Sequence, residues 1–151
     1  MLVKFALGIH EIAAAIAVGG LMFVLAALAP ALRDQDGPEA LGVWHRTMRL
    51  FLRWAAAMMI LLWATGLWLM FGVYGGFGKA PHIDTMFLLA LIWTGLYFWL
   101  NHGPFAAFKR AVTARDFPTA AALIPRIRRL VVAGTVVGIA TIAVAAAGTV
   151  G

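Results

Sequence analysis

A chain of 151 residues that is 64% hydrophobic and only 12% charged does not have the composition of a water-soluble domain, in which about a quarter of residues carry charge. The absence of cysteine excludes disulfides, thiolate metal sites, iron–sulfur clusters and thiol catalysis, so any metal or cofactor must be held by His, Met, carboxylate, Tyr or Lys. Twelve Lys and Arg against six Asp and Glu give a net charge of +6. In a soluble protein that would suggest nucleic acid; here the cations crowd at the ends of apolar runs, where they act as topology signals and lipid contacts.

A bilayer crossing takes roughly 20 residues. Four runs are long enough, and they predict an all-α polytopic membrane protein: one four-helix transmembrane bundle over residues 1–151, with spans at about 3–32, 54–73, 83–100 and 130–150. The first run is too long for a cleaved leader and has no convincing cleavage site before the polar turn, so it is expected to stay as a span. It carries His10 and Glu11 side by side. An imidazole and a carboxyl at membrane depth cost on the order of several kcal/mol unless partnered, which marks a functional site whose partner must be found.

The polar turn Arg33-Asp34-Gln35-Asp36-Gly37-Pro38 ends the first span. The second span continues backwards as helix into 44–53, where Arg46, Arg49 and Arg53 step by three and four. Such a row either snorkels to lipid phosphate or clamps the carboxylates of an anionic ligand through bidentate hydrogen bonds. The seven Met residues form no Met-x-x-Met or Met-x-x-x-Met cluster; thioethers favour Cu(I), but Met is also an ordinary gap filler.

The Gly-rich loop 74–81 leads to the third span. His82, Met86, Ala90, Trp93, Tyr97 and Asn101 step along it by four and three, a polar and aromatic stripe expected to face the bundle interior. Beyond it, 104–115 places Phe105, Phe108 and Val112 on one face and predicts a short amphipathic interfacial helix between spans three and four. A second short helix over 118–124 is expected before the last span. There Gly134, Gly138, Thr141, Ala145 and Gly148 share one face, the pattern by which helices approach closely in lipid; Ala13, Ala17 and Gly20 do the same on span one.

Of the four histidines, His10 is the best ligand candidate. His82 opens span three at the same side of the membrane, so the two imidazoles could form a bis-imidazole haem site or half of a copper site. His45 and His102 lie at the opposite side and are expected to be wetted interfacial residues; a second site from that pair is conceivable. No nucleophile–base constellation and no phosphate-binding Gly-rich loop is visible, so hydrolytic chemistry has no home here.

His10, followed by Gly19-Gly20, Phe23 and Pro30, resembles the first helix of CopD-type membrane domains. Arg49-Leu50-Phe51-Leu52-Arg53-Trp54, leading to Thr65-Gly66-Leu67, resembles the second helix of CopD-type domains and of the related HemJ-type protoporphyrinogen oxidases; 79–97 is a looser match to their third helix. The resemblance covers about two-thirds of the chain. It implies haem b binding with His10 in the place of the family's first-helix histidine. The HemJ-type third-helix lysine has no counterpart near Asp84 to Met86, and Lys79 lies before the span. The CopD-type relation implies copper uptake across an inner membrane instead.

The resulting expectation is a haem b membrane redox protein, a quinone- or porphyrin-linked oxidoreductase, with His10 and His82 as metal ligands. Glu11 would tune charge or relay protons, and Arg49, Arg53, Tyr97 and His102 are further cofactor contacts. The alternatives are a copper-handling protein and a non-catalytic subunit that packs through span four. The expected partners are the lipid bilayer, a quinone or porphyrin, and a second copy or larger membrane complex. The expected location is a bacterial inner membrane. Ten of the twelve cations flank the first and third loops, leaving only Lys4 and Lys79 on the other side, which puts both termini outside by the positive-inside bias. A terminal tag on intact spheroplasts should be cleaved by external protease; protection of both termini would refute this orientation.

Overall fold

Proline and glycine punctuate the chain into helices. In the computed structural model, which describes residues 1–33, 35 and 37–148, these are α1 Leu2–Ala31, α2 Pro38–Gly72, α3 Pro81–His102, α4 Pro104–Thr113 and α5 Phe117–Gly148. Asp34 and Asp36 of the polar turn, and Val150 at the end of the fourth predicted span, lie outside the described residues. Helices α2, α3 and α4 each open on proline, whose missing N–H is no loss in a first turn. Four of the helices are long and apolar enough to cross a membrane, and the all-helical membrane bundle expected from the sequence is what the chain forms.

Near its end α1 widens. Pro30 cannot donate to the carbonyl one turn earlier, and its ring crowds that turn. Over Val24–Leu28 the helix relaxes to a five-residue repeat, with the Ala29 N–H bonded to the Val24 carbonyl, the usual π-type accommodation.

The spans form a ring in the order α2, α1, α5, α3. The contact of α3 with α5 is the most extensive, α1 packs on both α2 and α5, and α2 touches α3 only lightly. Small residues set these distances. Gly134 faces Leu21 and Trp93, and Gly138 lies so close to Val18 that a Cβ there would stand 2.6 Å from a Val18 methyl. Ala13 and Ala17 are buried on the matching face of α1. The small-residue face of span four is thus a packing face within the chain, as lipid requires of helices that gain no hydrophobic energy by associating.

The short amphipathic helix expected between spans three and four forms as α4, and its apolar face turns onto the bundle. Phe105 and Phe108 are buried, and Val112 packs against the same cluster with Trp44, Met48 and Ile127. Gly103 makes this possible: the chain reverses so sharply there that a Cβ would sit 2.6 Å from the Trp99 carbonyl oxygen. One expectation changes: no separate helix forms over 118–124 among the described residues, because α5 runs unbroken through Pro125. Its buried residues Ala120, Ile127 and Val131 hold one continuous inner face, while Pro125 is exposed on the outer face. Asp116 caps this helix, accepting the Thr119 N–H at 3.2 Å, and hydrogen bonds from the Thr119 side chain and backbone hold its carboxyl below the usual range.

The polar stripe of α3 faces inward as expected. Trp93, Tyr97 and Asn101 are half-buried, whereas Leu88, Leu91, Phe98 and Trp99 are exposed on the outer face.

Candidate functional site

Antiparallel helices pair residues by depth. From Leu2 to His10 is about 12 Å of helix axis, and from Gly72 back to Thr65 about 10 Å, at 1.5 Å per residue. The two meet: His10 Nδ1 lies 2.7 Å from Thr65 Oγ1. The same hydroxyl lies 2.7 Å from the Leu61 carbonyl oxygen, one turn earlier on its own helix.

These two distances fix the proton. Two oxygens at 2.7 Å with no hydrogen between them would repel, so the hydroxyl donates to Leu61 O, as threonines in apolar helices do. Thr65 then has only lone pairs for the ring, and His10 Nδ1 must carry the hydrogen and donate it. A neutral imidazole protonated at Nδ1 has an unprotonated Nε2, the form in which histidine ligates metals. A ligating histidine normally donates its other N–H to a fixed acceptor, which sets both tautomer and ring orientation. His10 has that arrangement.

Gly66 completes the cradle. A Cβ at this position would stand 3.1 Å from His10 Cε1, so glycine lets the ring lie against the α2 backbone. Neither Thr65 nor Gly66 stood out in the sequence as a partner of His10. The signal was there in the depth match between an N-terminal span and the outer end of the next.

A second threonine repeats the device. Thr94 on α3 donates to the Ala90 carbonyl at 2.7 Å and accepts from Trp63 Nε1 on α2 at 3.0 Å. Indole nitrogen is only ever a donor, so at this site the direction of the bond is certain, and it matches the direction deduced for His10.

The other candidates lie elsewhere. Glu11 is exposed on α1, as are Ile12 and Ile16. The His82 ring packs edge-on to Tyr74, with ring centroids 5.9 Å apart, and against Gly148 of α5. His10 and His82 share none of these neighbours, and α1 and α3 sit across the ring of helices from each other. Arg49 and Arg53 are exposed at the far end of α2, about 18–24 Å along the axis from Thr65. Tyr97 donates to the Leu52 carbonyl at 3.0 Å, at that same far level. His102 is exposed, and its Nδ1 donates to the Phe98 carbonyl at 3.2 Å.

His45 departs from its expected wetted position. It is half-buried beneath α4, with its ring 6.3 Å from Phe105 and 6.5 Å from Phe108, and its Nε2 is enclosed without a hydrogen-bond partner among the described residues. The inward turn of α4 is what covers it.

The donor set is sparse. No group of three or more His, Asp or Glu side chains that could hold a metal ion occurs among the described residues. Met48, Met59 and Met70 are buried as core packing. A narrow crevice of about 20 Å³ follows the thin α2–α3 seam, lined by Phe51, Ala55, Trp93 and Leu96 with Leu21 and Gly134 as its floor. It is almost wholly apolar and lies nearer Leu52 than Thr65. The donor set thus offers one oriented ring nitrogen at His10 and no cluster of three or more ligating side chains among the described residues.

These features define a four-helix membrane protein with one oriented intramembrane imidazole. No protein-family model matches the chain, and neither a curated protein nor a solved structure matches it.

Replacing Thr65 by Val keeps the shape but strands the His10 N–H, and should lower the free energy of unfolding in mild detergent by about 0.6–2 kcal/mol, the range of interhelical hydrogen bonds in membranes. Thr65→Ser should restore it. Equal stability of all three proteins would show that the bond is not made.

Proposed function

We propose that the chain is a haem b-binding integral membrane redox protein in which His10 would hold the group through Nε2. The observation that carries this is the relay from His10 Nδ1–H to Thr65 Oγ1 and from the Thr65 hydroxyl to Leu61 O. It leaves a lone pair on an imidazole at membrane depth, in the orientation typical of a metal-bound histidine. The sparse donor set supports a prosthetic group over a bare ion, since a haem brings four of its iron's ligands with it.

A bound haem would supply a one-electron couple to the membrane. The chain's own residues would do three things. Thr65 would hold the ring and its tautomer, Gly66 would give it room against α2, and Nε2 would be left to hold the group. Substrate oxidation is proposed at the level of class, a quinone or a porphyrin, by resemblance to HemJ-type oxidases. His82 remains the proposed second nitrogen only if the Tyr74 and Gly148 contacts open, or if a second copy contributes. The orientation proposed places His10 in the outer leaflet of a bacterial inner membrane, with both termini periplasmic.

Protein expressed with ample haem supply should purify with a Soret band, and His10→Ala should lose it while His102→Ala keeps it. Colourless wild-type protein would overturn the proposal, and Cu(I) binding lost in His10→Ala without haem absorbance would favour copper handling in its place.

A further inference from the structure

The outer face of α5 carries an arrangement that neither the haem site nor helix packing uses. Pro125, Arg128, Arg129 and Val132 line an open groove of about 320 Å³. Their spacing of three, four and seven puts all four on one helical face. Arg128 and Arg129 are exposed, and α5 carries no Asp or Glu among its described residues; Asp116, which precedes it, lies about 13 Å from Pro125 along the axis. The two guanidinium groups thus flank a floor of Pro125 and Val132 with no acidic residue of their own helix beside them.

The same face continues below the groove as a lane of exposed apolar side chains. Val132 is 46% exposed, Val136 61% and Ile139 48%, at further steps of four and three. These residues belong to the apolar stretch of a candidate span, and no other helix covers them. A pair of cations at the top of a bare hydrocarbon-facing lane matches one kind of molecule: a negatively charged head joined to acyl chains. Topology signalling alone explains cations anywhere near the span end; it does not explain a groove whose floor is a proline ring and whose lower wall leads into the bilayer.

We infer that this face of α5 binds an anionic phospholipid, with the phosphodiester between Arg128 and Arg129 over Pro125 and an acyl chain along Val132, Val136 and Ile139. Arginine suits this because its planar fork makes paired charge-assisted hydrogen bonds to phosphate oxygens. Pro125 contributes by having no long side chain to fill the space between the two arginines.

The test is native mass spectrometry of the full chain in mild detergent, titrated with phosphatidylglycerol or phosphatidylcholine. Phosphatidylglycerol should be retained and phosphatidylcholine should not. Arg128→Gln with Arg129→Gln should weaken phosphatidylglycerol retention about tenfold or more, as expected for two interfacial cations. Arg110→Gln with Arg115→Gln, the same change of charge on and beside α4, should leave it unchanged. If the first double variant does not fold, the two single variants carry the test, each with a several-fold loss. Equal weakening by both double variants would mean a diffuse field and overturn the site. So would equal retention of the two lipids, or displacement of the lipid by millimolar inorganic phosphate, which would make it a bare anion site.

Discussion

A threonine hydroxyl inside an apolar helix bonds back to its own carbonyl, and in hydrocarbon no water competes for either group. Its oxygen then faces the neighbouring helix with lone pairs and nothing to donate, so it selects ring N–H donors. Thr65 takes His10 and Thr94 takes Trp63. The two bonds link α1 to α2 and α2 to α3, and the second reinforces the seam where α2 and α3 barely touch. The tautomer of His10 is a consequence of that rule, and the chemistry proposed for the protein rests on the tautomer.

The bundle divides by function along the membrane normal. At the end with the termini, His10, Thr65 and Gly66 make an oriented imidazole. At the basic end, Phe105 and Phe108 seal α4 against α2 and α5, enclosing His45, while the arginines remain exposed. In between, glycine and alanine bring α5 close to α1, and the Gly138–Val18 approach leaves no room for a larger residue. Separation of the two ends means that Arg49, Arg53 and Tyr97 cannot hold a compact ligand that is bound at His10.

Much of this was legible in the chain itself. The four spans followed from length and hydropathy, the inward stripe of α3 from its step of three and four, and the close face of α5 from its glycines. What was not legible has physical reasons. An apolar face on a short helix reads the same whether it covers lipid or a protein core, so the inward turn of Phe105 and Phe108 was decided by Gly103, whose close approach to Trp99 appears only in three dimensions. Pro125 signals a helix break, yet the helix survives because its inner residues stay packed. For His10 and His82 a shared leaflet was legible, but their neighbours were not: Thr65 and Gly66 lie against one ring, Tyr74 and Gly148 against the other.

The proposed chemistry rests on one hydrogen atom. In protein with ¹⁵N-labelled histidine and His45, His82 and His102 replaced by Gln, the haem-free His10 ring should give a protonated Nδ1 and an unprotonated Nε2 signal at neutral pH. A ring protonated at Nε2, or at both nitrogens, would contradict the relay through Thr65 and with it the proposed ligand.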